Sequence, residues 1–462
     1  MFIFASSLNS AVVGEKIFKI RRGLDLPVAG SAEPVVEPFA AARYCIRPSD
    51  FRWMKVQLLA HEGDVLQVGA PLFADKRDAR IRICSPVAGT LRQIVRGEKR
   101  CIRALVIEPD EKQRTSRDVE IPFRLQDANA QQVREILLQY GLWPALRQRP
   151  FSIIANPDDM PRAIFVSCFD SAPLAPDFRV LLQDCEPEWL EGIRVLQSIC
   201  PGIPIHLGLR SGSDNSLFEA TEGVRLHYFH GPHPAGNVGT QIDFIAPMEK
   251  GDVVWYIHPQ HVVWMGRLFL HHLLSSERRV AITGPAESHP RYVSTNYGAD
   301  LAALLVPDPQ GRAVRNIGGN LLTGILLDEF PAAGFYDTQI TRILEGGQRE
   351  FLGWLLPGLK KWSRSHTFTA WLSRRHFLFT TSMQGGERAL VMSDVYDDVF
   401  PMDFLPAELL KACIAKDVEQ MENLGVYGVD SEDFALCEVV CPSKMPWQQI
   451  IEEALYYIHD NK

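Results

Sequence analysis

Three glycines follow a strand-like segment at a spacing that would let backbone N–H groups approach an anion. Gly231, Gly236 and Gly239 lie in the run that extends from Phe229 to Ile242. Glycine-rich loops bind phosphate through backbone N–H groups, because no side chain keeps the phosphate away from the backbone. The spacing matches neither G-x-G-x-x-G nor a Walker A loop, and no lysine closes it. We therefore favour a structural loop at the edge of a sheet, with cofactor binding by these glycines as the alternative.

The same loop contains two histidines, a residue type that often ligates metals. His230 and His233 have no Cys or carboxylate at ligand spacing, and a zinc site needs three or four ligands. We interpret them as ordinary loop histidines and predict no metal site. No Ser-His-Asp or Cys-His constellation can be assembled from spacing either, so no catalytic residue is predicted.

Two cysteines near the C-terminus resemble the end of an iron–sulfur motif. Cys437 and Cys441, the latter followed by proline, fit the last two positions of the ferredoxin run C-x2-C-x2-C-x3-C-P. Ser431 and Phe434 occupy the two earlier ligand positions. Because a cubane cluster is held by four thiolates, we predict either the relic of a cluster site or two buried thiols.

One lysine lies where a lipoyl carrier would be modified. The segments Glu62–Phe73 and Ser85–Ile94 each combine a short strand with glycine turns, a pattern that resembles the biotinyl/lipoyl-carrier fold. Asp75 and Lys76 lie between them, as the Asp-Lys hairpin does in lipoyl carriers. A two-residue match is a weak motif, so we interpret Lys76 as a solvated hairpin lysine, with lipoylation as the alternative.

An aromatic, basic segment lies between residues 351 and 377. It could contact anionic headgroups or a membrane-bound partner, or it could be core tryptophans with a solvated basic rim, and both interpretations stay open. Its tryptophans and cations are Trp354, Trp362, Trp371, Lys360, Lys361, Arg364, Arg374 and Arg375.

Composition sets outer limits on the function. The chain has 462 residues, a net charge of -8 and 46% hydrophobic residues, so it is globular and too acidic overall for a typical nucleic-acid binder. No stretch approaches the roughly 18–20 apolar residues that span a bilayer, so the chain alone cannot form an ion pathway. The N-terminus is a poor signal peptide, and nine scattered cysteines are typical of reduced cytoplasmic thiols.

The order of predicted elements indicates several domains of α/β and α+β type. Residues 1–16 form an appendage, 17–110 a β-rich barrel or sandwich, and 127–284 alternate strands with helices as in a largely parallel sheet. Residues 285–330 are a turn-rich module, and 331–462 a C-terminal region with helices. Helices are predicted over Glu186–Ile199, Gln260–Leu274, Ala407–Leu424 and Trp447–His459, with a further helix capped by Asp127.

Several short segments together resemble one family, NqrA, the A-type subunit of the sodium-translocating NADH:quinone reductase. The resemblance covers about residues 17–460, and the segments fall in the family's order. They are Ile20–Gly30, Glu62–Asp64, Ser85–Gly89, Arg96–Arg100, Gln148–Phe151, Phe169–Pro176, His230–Gly239, Gly266–Phe269, Gly319–Gly324, Gly385–Arg388, Phe400–Asp403 and Glu432–Leu436. Residues 1–16 lie outside it.

The resemblance implies a peripheral subunit on the cytoplasmic face of the bacterial inner membrane. Its partners would be the five other subunits of a complex that passes electrons from NADH through flavins and iron–sulfur centres to ubiquinone and exports sodium. Those reactions belong to other subunits, so this chain is expected to bind no cofactor and to catalyse nothing alone. Ubiquinone contact with this subunit is a further expectation, without assigned residues.

The family is related to the RnfC component of Rnf complexes and to the flavoprotein component of complex I. This relationship implies a barrel-sandwich hybrid, a Rossmann-like α/β domain, a β-grasp module of SLBB type and a helical tail. It also provides the alternative function, an RnfC-like electron-transfer component with its own cofactor. The partial motif at Cys437 and Cys441 is what a descendant that had lost its cluster would keep.

Overall fold

The structure is a computed structural model that describes residues 17–327, 329–346, 358–359, 361–372, 376–383 and 385–461, with only the backbone of Trp371. The predicted appendage 1–16 lies outside these residues, as do Trp354, Lys360, Arg374 and Arg375 of the aromatic, basic segment. Within the described residues, every helix is too short or too polar to cross a bilayer.

The strands are numbered in chain order. They are β1 Ile17–Lys19, β2 Val36–Pro38, β3 Tyr44–Ile46, β4 Val56–Leu58, β5 Val65–Leu66, β6 Pro71–Asp75, β7 Arg82–Cys84, β8 Gly89–Arg96, β9 Ile102–Pro109, β10 Ser116–Asp118, β11 Arg147–Arg149, β12 Ile153–Ile154, β13 Ile164–Ser167, β14 Ile205–Arg210, β15 Arg225–His230, β16 Val254–Tyr256, β17 Leu273–Ser275, β18 Glu277–Thr283, β19 Arg291–Asn296, β20 Val314–Gly318, β21 Ile325–Leu326 and β22 Gln339–Leu344.

The α-helices are numbered in the same way. They are α1 Ala130–Gln139, α2 Phe178–Leu181, α3 Glu186–Ile199, α4 Ser216–Glu219, α5 Val238–Ile245, α6 Pro259–His271, α7 Pro406–Ala415, α8 Val418–Asn423, α9 Ala435–Val440 and α10 Trp447–Asp460.

The central layer is a seven-stranded sheet in the order β1-β15-β14-β13-β16-β11-β12. The first five strands in this order run parallel to one another, as the alternation of strands and helices predicted. The last two, β11 and β12, add an antiparallel edge. Helices α3 and α6 pack together closely because Gly266 faces Gly192, where a side chain on Gly266 would collide with the Glu188 carbonyl. Alternate β13 residues face opposite helical layers, since Ile164 and Phe165 belong to different core clusters.

The barrel-sandwich domain consists of two antiparallel sheets. One has the order β3-β9-β8-β5 and the other β4-β6-β7. Asp75 ends β6 and Lys76 begins the turn to β7, so this pair occupies the predicted hairpin, with the Lys76 side chain exposed.

Beside the α/β sheet and the barrel lies a six-stranded sheet, which we call the third sheet. Its strand order is β2-β19-β18-β22-β20-β21. It draws β18 from before residue 285 and β22 from after residue 330, so it extends beyond the module predicted from turn density. The N-terminal strands also leave the predicted barrel region, since β1 pairs with β15 and β2 with β19. Three-residue strands carry too little hydrophobic pattern to indicate which sheet edge they join.

In the described part of the C-terminal tail, helices α7, α8, α9 and α10 pack around a second apolar core, which also includes Phe151 and Leu322. Helix α10 agrees with the prediction, but the single helix predicted over 407–424 is wrong, because the chain breaks between α7 and α8. Lys416 adopts a left-handed conformation with φ 56°, and Asp417 caps α8 by accepting the N–H of Gln420.

Two other helix boundaries differ from the sequence prediction. Helix α1 is capped by Asn129 and not by Asp127, because Asn129 and Gln132 form a reciprocal capping box, which satisfies two N–H groups. Helix α6 ends at His271 because the following residues form β17, which pairs with β10. Helix α3 spans Glu186–Ile199, as predicted.

Candidate functional site

The glycine loop connects β15 to α5 and packs against backbone of this chain. A Cβ atom on Gly231 would collide with the carbonyl oxygen of Ile20, and one on Gly236 would lie 2.5 Å from the backbone nitrogen of Ser171. Gly236 also donates its N–H to the Ser171 hydroxyl at 2.8 Å. The loops that follow β13 and β15 therefore meet, and two of the three glycines are needed for that close approach.

Gly239 lies in the first turn of α5 and faces a carboxylate of the tail. A Cβ atom at this position would lie 2.5 Å from Oδ1 of Asp433 and 3.0 Å from Nη2 of Arg149. The N-terminus of a helix favours negative charge, and in a phosphate-binding loop the ligand would lie there. Sequence reasoning favoured a structural loop here, but it missed that Asp433 of the tail packs against it.

The two loop histidines have different environments. His230 is exposed at the end of β15. His233 is buried, with Nδ1 at 3.1 Å from the Ser171 hydroxyl, and burial lowers its pKa to about 4. Its backbone N–H binds Oδ1 of Asp25 at 2.9 Å, which fixes the loop to the N-terminal segment. Among the described residues there is no group of three or more His, Cys, Asp or Glu that could hold a metal ion.

Arg149 joins the α/β sheet to the tail. Its side chain comes from β11, is 1% exposed and contacts three carboxylates of one short tail segment. The distances are 2.6 Å from Nη2 to Oε1 of Glu432, 3.3 Å from Nη1 to Oδ2 of Asp433 and 3.9 Å from Nη2 to Oδ2 of Asp430. A guanidinium has five N–H donors in a fixed plane, so one arginine can hold several carboxylates.

A second arginine joins the same tail segment to the barrel. Arg52 follows β3 and lies 2.6 Å from Oδ1 of Asp430 through Nη1, while Nη2 contacts Glu452 of α10. The neighbouring Trp53 donates its indole N–H to Oε1 of Glu452 at 2.9 Å. Two arginines therefore face four carboxylates in a largely buried network, which we call the tail latch (Arg52, Arg149, Asp430, Glu432, Asp433 and Glu452).

Burial and the charges of the two arginines shift the pKa values of two acid groups of the tail latch in opposite directions. Burial raises the pKa of Asp433 to about 7, although the charge of Arg149 opposes the shift. Burial would also raise the pKa of Asp430, but the charges of Arg52 and Arg149 outweigh it, and the net shift is downward. Desolvation disfavours the charged form of a carboxyl group unless a cation compensates. Asp433 therefore binds its proton more tightly than an ordinary carboxyl group does, and Asp430 binds its proton less tightly.

The two tail cysteines lie in an apolar core. Cys437 and Cys441 are both fully buried in the cluster that also contains Trp447. Burial is the main cause of the raised pKa of Cys437. Sγ of Cys441 lies 3.4 Å from the hydroxyl oxygen of Tyr396, and this contact helps to lower its pKa although burial acts in the opposite direction. This arrangement matches the predicted alternative of two buried thiols.

The described part of the aromatic, basic segment packs on this chain. The ring of Trp362 lies 5.7 Å from that of Phe379, and Arg364 pairs with Asp398 at 2.8 Å. Lys361 lies over the ring of Phe368. The described side chains of Trp362, Lys361 and Arg364 therefore all contact residues of this chain.

Family models match three regions that follow the domains described above. The NqrA N-terminal barrel-sandwich hybrid domain matches residues 18–110, and the NqrA second alpha/beta domain matches residues 128–273. The NQRA C-terminal domain, a family model of SLBB type, matches residues 279–328. The matches cover more than half of the chain, and they include the glycine loop and Arg149.

Curated relatives match over nearly their full length. A protein of Haemophilus influenzae (strain ATCC 51907 / DSM 11121 / KW20 / Rd), named as the A-type subunit of the Na(+)-translocating NADH-quinone reductase, is 36% identical over 94% of this chain and 98% of its own. Its namesake from Actinobacillus pleuropneumoniae serotype 5b (strain L20) is 34% identical over the same shares.

Similarity to solved structures is weak. A chain of an NAD+-reducing [NiFe]-hydrogenase aligns at 13% identity with a TM-score of 0.37, over 73% of this chain and 64% of its own, which is too low to establish a common fold. The family models name the same family as the curated relatives, which match 94% of this chain. The chain therefore belongs to the NqrA family, the A-type subunits of the Na(+)-translocating NADH-quinone reductase.

Proposed function

We propose that this chain serves as the peripheral, structural NqrA component of a Na+-translocating NADH-quinone reductase. In this proposal it binds the cytoplasmic side of the other five subunits at the bacterial inner membrane. NADH oxidation, flavins, iron–sulfur centres and sodium transport belong to those subunits, and this chain holds no cofactor. The 36% identity to a named member of the family across 98% of that protein supports the assignment.

The observation that carries the structural role is the contact between Asp433 and the glycine loop. In a nucleotide-binding α/β domain, the helix N-terminus after the loop would face the phosphate. Here a Cβ on Gly239 would lie 2.5 Å from the Asp433 carboxylate, which Arg149 holds in place. The tail therefore packs against the first turn of α5, and we propose that Gly231, Gly236 and Gly239 serve packing.

We further propose that the α/β domain is Rossmann-like and that the third sheet is a β-grasp module. The order β15-β14-β13-β16 corresponds to the 3-2-1-4 order of doubly wound sheets, which supports the first assignment. The mixture of parallel and antiparallel pairs around β18 and β22 supports the second. We also propose the domain division at 17–110, 127–284, 285–330 and 331–462. Strands β1, β2, β18 and β22 join sheets outside the region of the chain in which each lies.

A position near the quinone site is the finer part of the proposal. A structural subunit that binds the membrane subunits can shape the access of ubiquinone without contributing a redox group. In a complex that assembles around this chain, its removal would therefore lower quinone reduction more than electron transfer from NADH to a soluble acceptor.

The assembly is tested by affinity purification of a tagged chain from detergent-solubilised membranes. We expect the other subunits to co-purify, and the chain to sediment with membranes only when they are expressed. The same tagged chain in cells without the membrane subunits is the control. A tagged chain that remains soluble and alone while all subunits are present would contradict the proposal.

The structural role is tested on the isolated chain. We expect an anaerobically purified chain without visible flavin or cluster absorbance, and no oxidation of NADH by quinone. A coloured protein with bound cofactor would favour the alternative, an RnfC-like electron-transfer component. Intact-protein mass tests lipoylation of Lys76 in the same preparation, and we expect the unmodified mass.

A further inference from the structure

We propose that a basic groove between the barrel-sandwich domain and the third sheet binds an acidic, extended segment of a partner polypeptide. The barrel groove, as we call it, has a volume of about 950 Å³ and lies beside the hairpin of Lys76. It borders the tail latch, because Trp53 lines the groove and donates its indole N–H to Glu452, and it shares no lining residue with the glycine loop. The inference rests on the proposed function and extends it, because it names the chemistry by which one partner would dock.

Charge is the first argument for an acidic occupant. The chain has a net charge of -8, yet five cationic side chains line the groove, with Asp50 as the one acidic residue among the described residues that line it. Arg47 is neutralised by Asp50 and Asp337. By contrast, Lys76, Arg96 and Arg100 have no carboxylate within 4.0 Å among the described residues; the fifth cation, Arg103, pairs with Glu329. A concave surface with unpaired cations attracts an oppositely charged partner.

The walls of the groove are the second argument, because they contain two sheet edges. Within the part of the chain that the structure describes, β4 pairs only with β6, and β21 pairs only with β20. An edge strand presents unpaired backbone N–H and C=O groups, and an extended peptide can add to it by strand pairing. The side chains of Ile325 and Leu326 on β21 are 60% and 54% exposed, so the rim is also apolar.

These features together specify the pattern of the occupant. In an extended segment, successive side chains alternate between two faces. Acidic residues on one face would meet Lys76, Arg96 and Arg100, and apolar residues on the other would cover Ile325 and Leu326. A flat, anionic membrane fits less well, since lipid headgroups offer no backbone groups that could pair with the edges of β4 and β21.

A native cysteine provides the readout. Cys101 is exposed and lines the groove, whereas Cys185 is half-buried and the other seven cysteines are buried. The rate at which a maleimide reacts with Cys101 in the full-length chain therefore reports occupancy of the groove. The probe is a ten-residue peptide of alternating Glu and Val, and its control is the same peptide with Lys in place of Glu.

We expect the acidic peptide to slow the reaction of Cys101 about fivefold at low ionic strength, and salt to reduce the effect. The Lys peptide should leave the rate unchanged. The double variant Arg96→Glu/Arg100→Glu should abolish protection by the acidic peptide. Arg92→Glu is the matched control, because Arg92 lies on the same strand but pairs with Glu108 outside the groove lining. Circular dichroism verifies that the variants fold.

Two outcomes would overturn the proposal. One is that the acidic and the Lys peptide protect Cys101 equally, which includes the case in which neither protects it. The other is protection by phosphatidylglycerol vesicles alone, which would identify the groove as a lipid-binding surface. In the assembled complex, a photo-crosslinker on Cys101 should capture a segment with net negative charge. If the complex assembles and no such segment is captured, the groove proposal fails while the proposed function stands.

Discussion

At the scale of single residues, Asp433 determines whether the contact between tail and glycine loop is charged or neutral. Its carboxyl lies beside Gly239 at the N-terminus of α5 and accepts the backbone N–H of Asp430 through Oδ2 at 2.8 Å. Among the described residues its Oδ1 has no hydrogen-bond partner. Removing a carboxylate from water is unfavourable unless its lone pairs and its charge are both compensated. Arg149 compensates only part of this charge, because it also contacts Glu432.

The raised pKa of Asp433 predicts a pH dependence of stability. Because burial raises it from 3.8 in the unfolded chain to about 7 in the folded chain, the folded state binds the proton more tightly. The associated stability is present below pH 3.8 and is lost as the pH rises through about 7. Asp433→Asn should therefore reduce the fall in the free energy of unfolding between about pH 5 and 8 by about 3 kcal/mol, at about 1.4 kcal/mol per pKa unit.

Urea denaturation at about pH 5 and 8 measures this effect. Hydrogen exchange of α10 reports the unfolding of the tail. Glu419→Gln on the surface of α8 is the control and should keep the wild-type profile. Identical pH profiles for Asp433→Asn and wild type would show that another group carries the pH dependence.

In this site, the sequence indicates the local loop but not which distant residues contact it. The glycine loop was identifiable as an anion-favouring turn, because glycine spacing is a local signal. Its partners were not, since Arg149 and Asp433 are far apart in sequence and only the fold brings them together. Both lie in segments that carried the family resemblance, Gln148–Phe151 and Glu432–Leu436, but a charged residue in a motif does not reveal which other charge it contacts.

At the scale of elements, the start of α5 depends on the missing side chain at Gly239. Alanine favours helix over glycine by roughly 0.5–1 kcal/mol, so Gly239→Ala would stabilise an isolated helix. In this protein the new methyl group would lie 2.5 Å from Oδ1 of Asp433, whose carboxylate is held by Arg149. We expect the clash to dominate and Gly239→Ala to destabilise the protein by about 1–3 kcal/mol, as overpacking does.

The change in denaturation midpoint measures this prediction. Gly386→Ala is a suitable control, because a Cβ at Gly386 would meet nothing within 4 Å among the described residues. A Gly239→Ala variant as stable as wild type would mean that Asp433 moves aside freely, which would weaken the assignment of the loop to packing.

The break between α7 and α8 is the element that hydrophobic periodicity missed. Apolar spacing continues through the break, so it predicted one helix, whereas the left-handed Lys416 and the Asp417 cap interrupt it. Helices α3 and α10, by contrast, follow their periodicity closely because each buries one continuous apolar face. Local capping chemistry therefore sets the boundary where the pattern alone is ambiguous.

A cap substitution tests this explanation of the break. Asp417→Ala removes the acceptor for the N–H of Gln420 and should lower the free energy of unfolding by about 1 kcal/mol. Asp417→Asn keeps an acceptor oxygen at the same position and should retain most of the stability. Urea denaturation compares the two variants, and equal losses would show that charge, not capping, is what Asp417 contributes.

At the scale of the whole molecule, the barrel, the α/β sheet and the third sheet share one continuous core. A single cluster of buried apolar side chains includes Leu72 and Leu105 of the barrel, Leu207 of the α/β sheet and Ile340 of the third sheet. The tail has a separate cluster that includes Trp447. The tail latch connects the tail to β11 and to the segment after β3. The sheets should therefore unfold together, while the tail depends on the latch.

Removal of Arg149 from the tail latch should release the tail before the sheets unfold. Arg149→Met leaves the tail carboxylates without their shared cation, and removing one partner of a buried ion pair costs about 3–5 kcal/mol. We expect hydrogen exchange in urea to show α10 losing protection at a lower concentration in this variant than in wild type, whereas β8, β14 and β22 still lose protection together. Arg194→Met is the control, since Arg194 is 67% exposed on α3 and pairs only with Glu191 among the described residues.

The alternative outcomes have distinct physical meanings. Earlier exchange of β8 than of β14 would show that the barrel unfolds as an independent unit and that the shared core contributes little coupling. An unchanged α10 would show that Arg52 and the ring contacts of Trp53 with Tyr456 and of Phe151 with Tyr427 hold the tail without Arg149. Loss of α10 alone would mean that one buried guanidinium controls whether the tail covers the glycine loop. The loop would then be closed by tertiary structure and not by its own sequence.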